Sequence, residues 1–232
     1  MNLLDQTIGN IACEIPGATR LFHQHKLDFC CGGGKSLREA AEKRGVDTEK
    51  LIGELERLSE KPNHSRNWKE TPSPELIEYI LRRFHERHRE QLPELIRLAQ
   101  RVEHVHGERP ACPVGLADLL TSIHQEMESH MMKEEQILFP MIIRGYYSST
   151  PSHIAVMRFE HDQHGESLAR MEQLTNDITP PEHACNTWRA LYLGLAQLRE
   201  DLMQHIHLEN NVLFLNAEKE AAKPLPVCGC GN

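Results

Sequence analysis

Aromatic residues make up only 5% of this chain, so any core must be built mainly from aliphatic side chains, which a hydrophobic content of 39% allows. No apolar run approaches the roughly 20 residues of a membrane-spanning helix, and no membrane span is expected. Basic runs are missing too, and the net charge of −8 argues against nucleic acid or an anionic membrane as partner. Met1-Asn2-Leu3-Leu4-Asp5 lacks the basic start and apolar stretch of a secretory leader, which points to a cytoplasmic protein. The alternation of β-strands is absent, as are a dinucleotide fingerprint and a Ser-His-Asp arrangement. Gly33-Gly34-Lys35-Ser36 is no phosphate loop, because Phe29 stands where the first glycine belongs. His85-Glu86-Arg87-His88 is one residue short of the zinc-protease spacing. The seven cysteines are odd in number and irregularly spaced, a poor disulfide framework and a better fit to thiol or metal chemistry in a reducing compartment.

What the chain does have is histidine, 15 residues in all, and a repeated motif. His130-x3-Glu134 is followed by Ile137-Leu138-Phe139, and 75 positions later (205 − 130) His205-x3-Glu209 is followed by Val212-Leu213-Phe214. Residues i and i+4 share a helix face, so each copy aims an imidazole and a carboxylate the same way, and the apolar residues after them mark that direction as inward.

Residues 1–60 read as a small helical domain. Pro16 can open a helix through Leu21 and Phe22, Ser36-Leu37-Arg38-Glu39 is a capping box, Gly45 suits a helix end, and Asp47 can cap a helix carrying Leu51, Ile52, Leu55 and Leu58. Between them lies Phe29-Cys30-Cys31-Gly32-Gly33-Gly34-Lys35, whose thiols are expected to be exposed, conformationally free and reactive. A polar, proline-rich linker over 61–73 leads to four amphipathic helices within 74–219. They are expected from Ser73/Pro74 to His106 (with a kink at Pro93), 115–144, 151–176 and 181–219. Short connections imply antiparallel neighbours, hence an all-α, up-down-up-down four-helix bundle. Residues 220–232 form a tail expected to be mobile, with Cys228 and Cys230.

Projection onto helices places His85 and His88 on the apolar stripe of the first long helix. The second carries Ile123, Met127, His130, Glu134, Ile137, Leu138 and Met141 on one stripe, the third carries His161 and His164, and the fourth His205 and Glu209. A single inward histidine is ordinarily a hydrogen-bonded core residue, and a single His-x3-Glu pair an ion pair. Here that reading would have to hold on four helices at once, with buried carboxylates costing several kcal/mol each. A metal centre satisfies His85, His130, Glu134, His161, His205 and Glu209 together. Six ligands exceed one tetrahedral zinc but suit two metals, two imidazoles to each, with Glu134 and Glu209 able to bridge. Imidazole with carboxylate suits iron. A set this poor in charge favours ligand binding, redox exchange or iron release over hydroxylation.

The four histidines and two His-x3-Glu pairs resemble those of hemerythrin-like di-iron proteins. Joined to Asp28-Phe29-Cys30-Cys31-Gly32-Gly33, the chain resembles the repair-of-iron-centres family over residues 1–220. The resemblance implies a cytoplasmic homodimer holding two non-haem iron ions per chain, oxo- or hydroxo-bridged. It implies a stress-response role in restoring iron–sulfur clusters damaged by nitric oxide or peroxide, through iron donation or reaction with nitric oxide. Damaged iron–sulfur proteins would be the partners and nitric oxide or oxygen the small ligand. Two other readings stay open: an oxygen or nitric oxide sensing module, and a di-iron nitric oxide reductase. No catalytic residue is assigned. Oxygen-carrying hemerythrins supply a further histidine where this chain has Gly165. His88 and His164, both at i+3 from a ligand, are left as extra ligands or as groups that orient the ligands. The Cys228-x-Cys230 tail is not part of the resemblance.

Overall fold

The computed structural model describes residues 2–59 and 67–223. Helix α1 (Ile8–Glu14) begins where the Thr7 hydroxyl accepts the Asn10 amide. Its short length hides it from periodicity, and the sequence reading passed over it. Helix α2 (Ala18–Gln24) starts from Gly17, held at φ 89°, one residue after Pro16. Helix α3 (Leu37–Arg44) has the capping box of Ser36 and Glu39 and ends on Gly45 at φ 64°. Helix α4 (Thr48–Ser59) is entered through Asp47, whose carboxylate accepts the amides of Glu49 and Lys50 at 3.0 and 3.2 Å.

Four long helices follow, three of them with a π turn inside. Helix α5 runs as Ser73–Ile80, the π turn Leu81–His85 and Glu86–His106. It passes through Pro93 unbroken, and its winding changes at 81–85 instead. Helix α6 is Leu116–Lys133, the π turn Glu134–Leu138 and Phe139–Ile143. Helix α7 is Thr150–Leu174. Helix α8 is Asn186–Leu208, the π turn Glu209–Leu213 and Phe214–Ala221. Its start corrects the expected 181: after Pro180 and Pro181 the chain makes one more turn, closed by the Ala184 amide on the Pro181 carbonyl, before the helix forms.

Contacts fix the directions. His85 meets Glu135 while Arg89 meets Glu128; His85 meets His205 while Gln91 meets the Gly194 carbonyl; Arg158 meets Glu218 while Glu172 meets Arg199. In each pair one number rises as the other falls, so the neighbours are antiparallel and the up-down-up-down bundle is observed. Among the described residues there are no strands, and no helix is long and apolar enough to cross a membrane.

Two apolar clusters flank a polar layer at the level of His85. One joins Ile8, Phe22, Leu37 and Leu55 of the first four helices to Leu92, Leu120, Leu191 and Leu198 of the bundle. The other gathers Ile77, Phe84, Phe139, Met157 and Phe214. The stretch before α5 is no bare spacer: Trp68 packs on Tyr79 with ring centroids 4.2 Å apart. The stripe on α6 also needs correction at Ile137, which is 44% exposed, whereas its counterpart Val212 is buried in the cluster that Cys13 and Trp68 join. Residues 60–66, and the tail with Cys228 and Cys230, lie outside the described residues.

The N-terminal helices are pinned to α8 by Asn211. Its amide donates to the carbonyls of Phe29 and Cys30 at 3.1 and 3.2 Å. Its oxygen sits where a Cβ on Gly33 would come within 2.1 Å and one on Gly9 within 2.6 Å. Gly33→Ala should therefore destabilise the protein by about 1–3 kcal/mol. Urea unfolding checks this, and an unchanged midpoint would contradict the fit.

Candidate metal centre

Each ligand candidate comes from a different turn of the bundle: His85 from α5, His130 and Glu134 from α6, His161 from α7, His205 and Glu209 from α8. All six are buried. Their donor atoms form two groups of four, His85-Glu134-His205-Glu209 and His130-Glu134-His161-Glu209, each with all atoms within 4.8 Å of one another. Both carboxylates belong to both groups. The Nε2 atoms of His85 and His205 are 3.1 Å apart, as are those of His130 and His161. His85 and His130 Nε2 lie 3.4 and 3.5 Å from Glu134 Oε2, while His161 and His205 Nε2 lie 3.1 and 3.0 Å from the two Glu209 oxygens.

The outer ring nitrogens explain why Nε2 faces inward. His85 Nδ1 donates to Glu135 Oε1 at 2.8 Å, His130 Nδ1 to Glu160 Oε2 at 2.9 Å and His161 Nδ1 to Asn210 Oδ1 at 3.0 Å. A proton held at Nδ1 leaves the Nε2 lone pair free for a metal. Arg89 and Lys133 anchor Glu135 and Glu160 in turn. Their histidine and basic partners hold both carboxyls down at about 2, against burial, so they remain anionic acceptors. Phe139 stacks on His85 and Phe214 on His161.

The duplication extends to residues the sequence reading missed. Glu135 and Asn210 each follow a shared carboxylate and each receive the Nδ1 proton of the histidine on the preceding helix. Their equivalent places in the two motifs were the available signal. Glu160 and Phe84, each just before a histidine, break the symmetry. Glu160 accepts from His130, whereas Phe84 stacks flat on His205, whose Nδ1 has no partner.

The residues fit a metal. Both oxygens of Glu134 are fully buried with no hydrogen bond, and so is Oε2 of Glu209. Burial opposes charge on His85, yet Glu134 and Glu135 carry its pKa up to about 9, and burial pushes His205 down. Two buried carboxylates with oxygens that lack hydrogen bonds are the arrangement a cation satisfies. His88 and His164 join neither group of donors. Burial holds His88 well below its ordinary range and His164 at about 3.

Residues 76–215 match the hemerythrin HHE cation binding domain, and residues 4–59 match ScdA_N, a domain of unknown function. The chain is 52% identical over 217 residues to the iron–sulfur cluster repair protein YtfE of Yersinia pseudotuberculosis serotype IB (strain PB1/+). It is equally similar to the protein of that name in Yersinia pestis (strain Pestoides F), in both cases covering 94% of this chain and 98% of the relative. The chain belongs to the hemerythrin-like iron–sulfur cluster repair family.

In this member the Cys30-Cys31 loop is neither exposed nor free. Cys30 is buried and Cys31 half-buried. Gly32 and Gly33 serve close packing rather than freedom: a Cβ on Gly32 would come within 2.7 Å of the Asp28 carbonyl, whereas one on Gly34 would meet nothing within 4 Å. The Cys31 backbone amide donates to the Asp28 carboxylate at 3.0 Å, and its thiol pKa is pushed up by the Cys30 thiol beside it and by burial. The loop touches the metal layer. Cys31 Sγ donates to the His161 carbonyl at 3.6 Å, and Asn210, which receives the His161 proton, donates to the Cys30 carbonyl at 3.2 Å. Asp28, Cys30 and Cys31 form a third group of convergent donors.

The convergence on Glu134 predicts a joint loss. Glu134→Leu should abolish metal uptake and destabilise the metal-free protein by about 3–5 kcal/mol, since His85 and His130, 3.4 and 3.5 Å away, lose their buried carboxylate partner. Thermal unfolding in chelator with parallel metal analysis tests both, and a stabilised metal-free variant contradicts the account.

Proposed function

We propose that the two groups each hold one iron, with Glu134 and Glu209 bridging, and that the chain restores iron–sulfur clusters damaged by nitrosative or oxidative stress. The observation that carries this is the sharing of two buried carboxylates between two pairs of convergent imidazoles. When bound, such a pair supplies redox capacity and open positions for a small ligand. The chain's own residues position and hold. Glu135, Glu160 and Asn210 fix three imidazoles, Phe139 and Phe214 wall the layer, and apolar clusters keep water from it. Only two carboxylates enter the donor groups, so the site stabilises a highly charged ion less than a carboxylate-rich one. That supports release of iron as cargo. The same open positions leave room for reaction with nitric oxide.

The third donor group gives cargo a way out. Asp28, Cys30 and Cys31 stand beside α7 at the edge of the metal layer, and paired thiols suit iron once deprotonated by it. The Yersinia relatives are named for iron–sulfur cluster repair, which supports damaged iron–sulfur proteins as recipients.

Metal analysis of the purified protein should give about two irons per chain, lost on Glu134→Ala or Glu209→Ala. Zinc alone, or iron retained in both variants, overturns the assignment. Iron-loaded protein mixed with a damaged iron–sulfur enzyme should restore its cluster under anaerobic conditions. Cys30→Ala/Cys31→Ala should slow transfer without lowering the initial iron content. No transfer from the wild type removes the donor role, and normal transfer from the double variant removes the thiols from it.

A further inference from the structure

The duplication that sets His130-x3-Glu134 against His205-x3-Glu209 extends one turn further back. Glu126 precedes His130 by four residues and Asp201 precedes His205 by four, again 75 positions apart (201 − 126). A helix brings i and i+4 to one face, so each row reads carboxylate, histidine, carboxylate. The two leading carboxylates have opposite fates. Glu126 is exposed, whereas Asp201 is only 2% exposed. Asp201 Oδ1 accepts from Arg83 Nη2 at 2.6 Å and from Gln197 Nε2 at 3.0 Å. Its Oδ2 is buried and has no hydrogen-bond partner.

This difference matches the one already seen around the histidines. His130 Nδ1 donates to Glu160 on the neighbouring helix, so it has no need of the carboxylate one turn back, and Glu126 stays in water. His205 has Phe84 in the place of Glu160, and its Nδ1 is buried without a partner. Here the carboxylate one turn back is buried, with an oxygen to spare. Buried polar atoms are nearly always satisfied, and these two orphans are complementary and one turn apart on one helix face. They also belong to one cluster. The Arg83 guanidinium that holds Asp201 lies 5.2 Å over the Phe84 ring, and that ring stacks on His205 at 5.3 Å and 7°. The anchoring repeats a pattern: Arg89 holds Glu135, Lys133 holds Glu160, and Arg83 holds Asp201. His88 is no substitute, because it lies ring to ring on His205 at 5.4 Å and 29° and presents its face.

We propose that Asp201 is the positioning carboxylate of His205, its Oδ2 accepting the Nδ1 proton directly or across one water. The inference rests on the reading that His205 is a metal ligand. Its Nε2 stands 3.0 Å from Glu209 Oε1, and a proton on Nε2 serves that contact. A lone pair offered there to a metal leaves the proton on Nδ1, where it needs an acceptor. Asp201 supplies one, which fixes the ring's tautomer and orientation and makes it a stronger donor. All four imidazoles of the layer then have an Nδ1 acceptor, three from a neighbouring helix and one from the histidine's own.

The test follows iron loss from the loaded protein to a chelator. Wild type and Glu126→Leu should lose iron alike. Asp201→Leu leaves Arg83, whose side chain is 41% exposed, free to turn to water. It should release one iron of each pair about tenfold or more faster. Asp201→Asn still offers an oxygen to the Nδ1 proton and should recover most of the difference. Proton NMR of the loaded protein in water gives a signal independent of release: one imidazole N–H resonance should shift in Asp201→Leu and none in Glu126→Leu. Asp201→Ala replaces the Leu variant if that fails to fold. Wild-type release and an unmoved resonance in the apolar variant overturn the proposal. So does an Asn variant no better than Leu, which would leave Asp201 only a partner for Arg83. A wild type that takes up no iron overturns the metal reading before any variant is compared, and this inference with it.

Discussion

Two carboxylates, Glu134 and Glu209, are buried in the middle of a helical bundle, and the arrangement around them follows from that. An ionised carboxyl removed from water without compensation costs several kcal/mol, more than most single contacts contribute. Four imidazoles converge on the pair, three turned by acceptors at Nδ1 so that their lone pairs face inward. Around this layer the fold is apolar on both sides, and two phenylalanines close its flanks. The charge that remains to be balanced is the one the protein leaves to its metal.

The two halves of the bundle repeat one plan and then depart from it. His85 with Glu135 and His161 with Asn210 are the same interaction, made once with a charged acceptor and once with a neutral one. His130 has Glu160, and in the equivalent place His205 has the face of Phe84. The two donor groups, which share both carboxylates, therefore differ in the basicity of their histidines. The departure coincides with the N-terminal helices. On α8, Asn210 and Asn211 reach outward to the Cys30 loop, while on α6 the matching residues Glu135 and Gln136 have no such cover among the described residues.

Much of this was legible in the residues. A motif repeated at long range singled out His130, Glu134, His205 and Glu209, because helical geometry converts i and i+4 into one direction, and the inward stripes of the other two helices added His85 and His161; the bundle brings these six together. Capping by Ser36 and Asp47 was readable because it is local chemistry. The Cys30 loop was misread: its glycines signal freedom in isolation, and only the approach of the Asp28 carbonyl and Asn211 reveals that Gly32 and Gly33 are there for lack of bulk. Glu160 and Asn210 were missed for a related reason. Polar residues beside a motif look solvated until a histidine from another helix is seen to need them. The late start of α8 and the exposure of Ile137 depend on turn closure and on which face receives cover, neither of which leaves a periodic trace.

The π turns carry a further consequence. Two begin at the shared carboxylates and one ends at His85. Each accommodates about one residue more than an α-helical turn, which offsets the phase of everything beyond it by about 100°. Phe139 and Phe214 face their histidines only because of that offset. The surplus residue thus acts as a phase shifter between two stretches of helix with different obligations, one delivering ligands and the other filling the core. Loss of a single residue there would keep every side chain of the ligand set in the sequence and still turn the next two turns of helix away from the layer they close.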